Sequence, residues 1–240
     1  EPPVAVLEGN QIRGQVVVEM RPNEIERTRF LADRIHKPYP VFDLDEEDAM
    51  LLVRDWEDGP DTVVSRNQWR FAQETENGIV PSHEHVHLES GFQPGKIYYI
   101  IYTTEGAPVV GTGLLAVREI ATFFRHASEL NPVNEGFEKV FGYGVSQTGR
   151  LLRHFLYLGL NLDEEGRMVY DALIPHVAGG RRGEFNHRFA QPSAQSNPSF
   201  GHNFPFVDNM RYDPVSGVRD GLLKRIRELG GAPKIFYTNS

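Results

Sequence analysis

The sequence predicts an α/β protein built mostly on a parallel sheet with helices on both faces, and three observations carry that expectation. Lys96–Thr103 is an unbroken β-branched and aromatic run, the pattern of a strand buried on both faces of a parallel sheet. From there strand-like and helix-like segments alternate, the order that βαβ units require. A strand then meets a helix through a short glycine-bearing turn at Gly144–Gly149.

The elements follow in order. Residues 1–95 are irregular, with short β-like runs such as Gln15–Val18 and Met50–Val53 between acidic and proline-rich stretches, so this part reads as strands and long loops packed on the core that follows. The acidic stretch Asp43–Asp48 lacks the glycine and the closing glutamate of a calcium loop and reads as a solvated turn. Leu114, Val117, Ala121 and Phe124 recur at helical spacing within Leu114–His126. Lys139–Tyr143 reads as a strand, Thr148–Leu158 as a helix closed by Gly159, Ala172–Val177 as a third strand and Lys234–Thr238 as the last. Residues 96–178 and 233–240 thus form the core. The long aperiodic excursion between them, residues 179–232, is expected to be a cap insertion over the sheet edge.

Composition narrows the function classes. With 33 acidic against 25 basic residues the net charge is −8, which argues against a nucleic-acid partner, since such proteins concentrate positive charge to displace counterions. Forty per cent hydrophobic residues, with 15 Phe, 9 Tyr and 2 Trp, fill a core and exclude a disordered reading. No apolar run is long enough to span a bilayer, so no membrane partner is expected. The absence of cysteine removes disulfides, thiolate metal sites and cysteine nucleophiles, and leaves the compartment open.

The sharpest chemical feature is Gly142-Tyr-Gly-Val-Ser-Gln-Thr-Gly-Arg150. In a nucleophile elbow the chain turns so tightly from strand to helix that the serine is strained and its neighbours two positions away must be small. Gly144 meets that need, while Thr148 stands where the second glycine is usual, beside Gly149. In this reading Ser146 is the nucleophile and the Gln147 backbone N–H an oxyanion donor. The alternative is that Ser146 merely caps the helix, for which serine is also favoured.

The runs Gly142–Tyr157, Asp163–Asp171 and His176–Pro192 resemble the bacterial family of alpha/beta hydrolase domain-containing proteins, whose elbow usually reads G-x-S-Q-S-G-R. Gly91–Gly95, Val109–Arg118 and Pro233–Ser240 match in the same order, so the resemblance covers most of the chain from about Trp69. It implies an α/β-hydrolase fold and a serine esterase acting on a small-molecule ester without a cofactor. It also implies that the chain is a central segment, with the triad acid and histidine beyond Ser240. Alone, the chain is then expected to show no ester turnover unless a second chain or further residues complete it. An internal base would come from His154, His176, His187 or His202, with Asp171, Asp208 or Asp220 as acid. At the base of the cap, Arg181, Asn186, His187, Arg188 and Gln191 are the candidates for touching substrate, or else brace the cap through ion pairs.

Three rival signals stay open. Gly111-Thr-Gly-Leu-Leu-Ala116 matches a dinucleotide fingerprint, which would make the protein a nucleotide-dependent oxidoreductase, although Pro108 separates it from its strand. His83, His85 and His87 alternate onto one face of an extended segment, as metal ligands can, but no fourth ligand is evident and no metal is assigned. Asn161–Gly166 resembles half a calcium loop with Ala172 where its glutamate should be. A catalytically incomplete hydrolase scaffold that only binds is the remaining alternative.

Overall fold

A computed structural model describes residues 2–32, 36–126, 129–185, 187–190, 207–214 and 217–239. The chain divides into two compact units, residues 1–109 with 188–198, and residues 110–187 with 199–240.

The first unit is antiparallel β. Its strands are β1 (Val6–Leu7), β2 (Asn10–Gln11), β3 (Arg13–Met20), β4 (Glu26–Phe30), β5 (Met50–Arg54), β6 (Thr62–Val64), β7 (Trp69–Arg70), β8 (Ala72–Thr75), β9 (Gly78–Pro81), β10 (His85–Phe92) and β11 (Ile97–Glu105). They form a sheet in the order β3-β11-β5-β6, a sheet β4-β10-β7, and the hairpins β1-β2 and β8-β9. Alternate residues of the two larger sheets make one core. Val16, Val18 and Met20 of β3, Tyr98, Ile100 and Tyr102 of β11, and Val86, Leu88 and Phe92 of β10 are all buried in it. Trp69, Phe71 and Tyr102 meet edge to face at 5.3 and 5.6 Å, the geometry that ring quadrupoles favour.

This overturns the expectation of a mostly parallel sheet with helices on both faces. β11, read as the first parallel strand, runs antiparallel to both β3 and β5. Antiparallel pairing prevails in the small sheets of the molecule, and the α-helices number only three among the described residues. The physical reason lies in what an apolar run encodes. Tyr98, Ile100 and Tyr102 face the core, whereas Ile101 on the other face pairs with the exposed Val17 and Met50. Apolar residues on both faces therefore do not mean burial on both faces, and periodicity says nothing about strand direction.

The second unit contains α1 (Thr112–Arg125), β12 (Phe141–Val145), α2 (Gln147–Tyr157), β13 (Ala172–His176), β14 (Arg211–Tyr212), β15 (Arg219–Asp220), α3 (Lys224–Glu228) and β16 (Lys234–Ile235). Among the described residues, parallel pairing is confined to β12-β13-β16, extended by a parallel bridge from His176 to Thr238. Leu152, Phe155 and Leu156 of α2 are buried with Leu114 of α1, Leu173 of β13 and Ile226 of α3. Leu222 and Leu223, from the stretch expected to be a cap, join the same core. Fully buried Asn161 ties the loop after α2 in place: its Nδ2 donates to Tyr170 O and Gly231 O, and its Oδ1 accepts from Tyr170 N–H.

Asp171 fixes the other end of this sheet. Its carboxylate accepts from Arg125 at 2.7 Å, from Lys139 at 3.2 Å and from the Val140 N–H at 3.0 Å, joining the end of α1 to the starts of β12 and β13. Burial alone would push this carboxyl up, but those donors together hold it down at about 2. The stabilisation is therefore complete above the ordinary carboxyl value of 3.8 and is lost as the pH falls toward about 2. Asp171→Asn is expected to cost about 2 kcal/mol of unfolding free energy at neutral pH and to flatten stability across that acid window, both read from denaturant titrations.

Candidate active site

Ser146 stands between β12 and α2 with φ 53° and ψ −113°, a left-handed backbone that a non-glycine residue adopts only under constraint. The constraint is a close approach of backbones. A Cβ on Gly144 would lie 2.6 Å from Thr148 O, and one on Gly149 would lie 2.9 Å from Gly144 O and 3.0 Å from the Ala178 Cβ. Gly149, not the residue at 148, thus occupies the place where the turn tolerates no side chain. Thr148 has room and uses it: its Oγ1 accepts from Val145 N–H and donates to Val145 O, each at 2.8 Å. The departure from the usual elbow spacing is therefore filled by a hydroxyl that clasps the strand end.

Ser146 does occupy the N-cap position of α2, yet its side chain makes no capping hydrogen bond and is exposed. A capping serine takes the extended backbone region and accepts from the first turn, and Ser146 does neither. Its N–H donates to His176 O at 2.9 Å, which pins the turn to the neighbouring strand. The Gln147 N–H opens α2, where a helix has no acceptor of its own to offer. The hydroxyl and this N–H are thus presented together at the positive end of the helix dipole.

Around the turn, the internal histidines divide. His176 ends β13, its Nδ1 hydrogen-bonded to Thr238 Oγ1 at 2.9 Å and its ring stacked on Tyr143. His154 is buried on α2, and its Nε2 has no hydrogen-bond partner. His187 is exposed, and His202 lies outside the described residues. The candidate acids are engaged elsewhere: Asp171 in its clamp, Asp208 by Tyr237 Oη at 2.7 Å and Asp220 by Tyr157 Oη at 2.8 Å. Among the described residues no histidine is hydrogen-bonded to Ser146 Oγ.

Of the predicted substrate contacts, Arg181 lines a narrow cavity beside α2, while Arg188 is exposed and belongs to the first compact unit. Asn186 and Gln191 lie outside the described residues. A larger cleft of about 490 Å³ opens beside the ends of β13 and β16, lined by Arg153, Ala178, Asp208, Tyr237 and Asn239 among others. Sequence reading named Asp208 and His154 only as candidate triad partners, and missed Arg153, Ala178, Tyr237 and Asn239 of the cleft and Arg150 of the smaller cavity. For Arg150 and His154 the available signal was their spacing from Ser146, four and eight residues along one helix face.

The rival signals resolve into local roles. β11 is antiparallel, so Gly111 and Gly113 follow no parallel strand, and a Cβ on Gly113 would touch nothing within 4 Å. The close approach that gives the dinucleotide fingerprint its glycines is thus missing there. His83, His85 and His87 bind separately, to Val41 O, Ser82 Oγ and Thr28 Oγ1. Among the described residues no group of three histidine or carboxylate side chains is arranged to hold a metal ion. Asp163 receives the N–H groups of Glu165 and Arg167, which makes Asn161–Gly166 a capped turn.

An elbow-like turn leading from a parallel strand into a helix is the arrangement of hydrolases of this architecture. The family model of the alpha/beta hydrolase domain matches residues 83–217, and the chain belongs to that family. No curated protein and no solved structure matched it in the corresponding comparisons.

Two predictions follow from this geometry. Gly144→Ala, whose new methyl meets backbone, is expected to destabilise by about 1–3 kcal/mol, whereas Gly113→Ala, in open space on α1, gains roughly 0.5 kcal/mol; chemical denaturation measures both. Burial first, then Arg182 and His187, holds the His154 imidazole down at about 4, below its ordinary 6.5. The unfolded chain takes up that proton more readily, so stability falls as the pH drops from about 6.5 toward about 4. His154→Gln is expected to shrink this loss in pH-dependent unfolding curves.

Proposed function

We propose that the protein is a serine hydrolase acting on carboxylic esters, with Ser146 as its nucleophile. The single observation that carries this reading is the backbone of Ser146: a strained conformation, enforced by two glycines, leaves the hydroxyl exposed and unused for capping. Strain of this kind costs of order 1–3 kcal/mol and persists where surrounding structure over-determines it, which a mere cap would not need.

In the proposed reaction the Ser146 oxygen attacks the ester carbonyl carbon as a histidine base takes its proton. The carbonyl oxygen, now negative, is met by the Gln147 N–H at the start of α2. Collapse of the tetrahedral intermediate expels the alcohol, which receives the proton from the histidine, and water then releases the acid by the same route. The small-molecule ester needs no cofactor in this scheme.

The second reading, a hydrolase-fold module that binds without turnover, draws on the lack of a histidine at Ser146 Oγ among the described residues. The two part on one experiment. In the full-length protein, Ser146→Ala is expected to lower ester hydrolysis roughly a thousandfold or more and to abolish fluorophosphonate labelling. Undiminished turnover in that variant would sink the proposal.

A further inference from the structure

The cleft of about 490 Å³ beside the ends of β13 and β16 has a chemistry of its own. It opens on the Ser146 edge of the sheet: Pro175, in its wall, precedes His176, whose carbonyl accepts the Ser146 N–H, and Arg153 follows Ser146 by about two turns of α2. Small-molecule sites run from about 300 to 1,000 Å³, so it is large enough for one. Its polar groups are planar and fixed by one another. Tyr237 Oη donates to Asp208 Oδ1 at 2.7 Å, and the Arg153 guanidinium lies over the Tyr237 ring at 5.7 Å and donates to Gly179 O. Burial first, then the bond to Asp208, pushes the Tyr237 hydroxyl up, so it stays protonated and keeps donating. Among the described residues no donor reaches Asp208 Oδ2, and the exposed Asn239 amide is held by no hydrogen bond.

We propose that this cleft binds a sugar or similar polyol as the alcohol half of the ester that Ser146 cleaves, an inference that rests on the proposed nucleophile and specifies its substrate. The class follows from the donors and acceptors. A carboxylate oxygen accepts a hydroxyl hydrogen, a side-chain amide both accepts and donates, and neighbouring hydroxyls on one ring can meet two such groups at once. An apolar alcohol would strip water from Asp208 Oδ2 and put nothing in its place. The charges of Arg153 and Asp208 offset each other in the wall, so a neutral polar ligand suits the cleft better than an ion of either sign. Tyr237 is 42% exposed, and its ring offers the C–H face of a sugar an apolar surface. In the reaction the acyl carbon to polyol oxygen bond breaks, and the polyol oxygen leaves with the electron pair and takes the proton from the histidine.

The test compares esters in the full-length protein. Monoacetates of glucose and xylose are set against cyclohexylmethyl acetate, an ester of similar size without hydroxyls. For at least one sugar monoacetate kcat/KM is expected to be higher by about tenfold or more. Asp208→Ala is expected to remove most of that preference and Asn239→Ala to reduce it severalfold; should Asp208→Ala fail to fold, Asn239→Ala decides. No preference for either sugar ester, or a preference that both substitutions leave intact because all esters slow in proportion, overturns the proposal. If no ester is turned over, the reading of Ser146 fails and the cleft is judged by itself. Calorimetric titration of wild type with free glucose and xylose is then expected to show saturable binding of at least one, weakened in Asp208→Ala, and its absence overturns the site as well.

Discussion

The contact on which the second unit depends is backbone against backbone, where the carbonyl of Gly144 approaches Gly149 too closely for either residue to carry a side chain. Everything nearby is a consequence of that crossing. It allows β12 to pass into α2 with one residue between them, and that residue must then take the left-handed backbone seen at Ser146. Because the helix starts so soon, its first N–H groups and its dipole face the same point as the serine hydroxyl. A looser turn would relieve the strain and scatter these groups.

Strain at the end of one strand is matched at the next. Val177, directly after β13, has φ 44°, which for a β-branched side chain is a still rarer state than for serine. Both are held by backbone bonds running across the sheet: Ser146 N–H to His176 O, and Val177 N–H to Thr238 O at 2.8 Å. The carboxyl ends of three parallel strands are thereby laced together at the edge where ligands bind in sheets of this kind. Asp171 does the equivalent at the opposite edge by charge-assisted bonds, so the register of β12 against β13 is fixed from both ends.

Local elements were largely legible in the sequence, while their assembly was not. The helix expected at Leu114–His126 is α1 at Thr112–Arg125, and Thr148–Leu158 is α2 at Gln147–Tyr157; hydrophobic spacing and a closing glycine suffice for such segments. Strand direction has no comparable local signal. Lys96–Thr103 became the centre of an antiparallel sheet because its partners, Arg13–Met20 and Met50–Arg54, lie far upstream, and only long-range pairing decides that. At the candidate site the serine and its glycines announced themselves through steric rules. Arg150 and Arg153 behind it did not, because an arginine on a helix reads the same whether it ends in solvent or in a cavity.

That last ambiguity is where burial adds an argument of its own. Two sets of basic side chains in the second unit are treated differently. Arg125 and Lys139 converge on Asp171, and the carboxyl is held low in return, the sign of a structural ion pair. Arg150 and His154 line a cavity with further arginines and no carboxylate, and the shifts of both run the other way, toward loss of charge. Burial, the larger cause, accounts for this: the His154 imidazole, down at about 4, is uncharged at neutral pH and needs no counter-ion, while half-buried Arg150 keeps part of its surface in solvent, so packing around α2 and not charge pairing holds this second set.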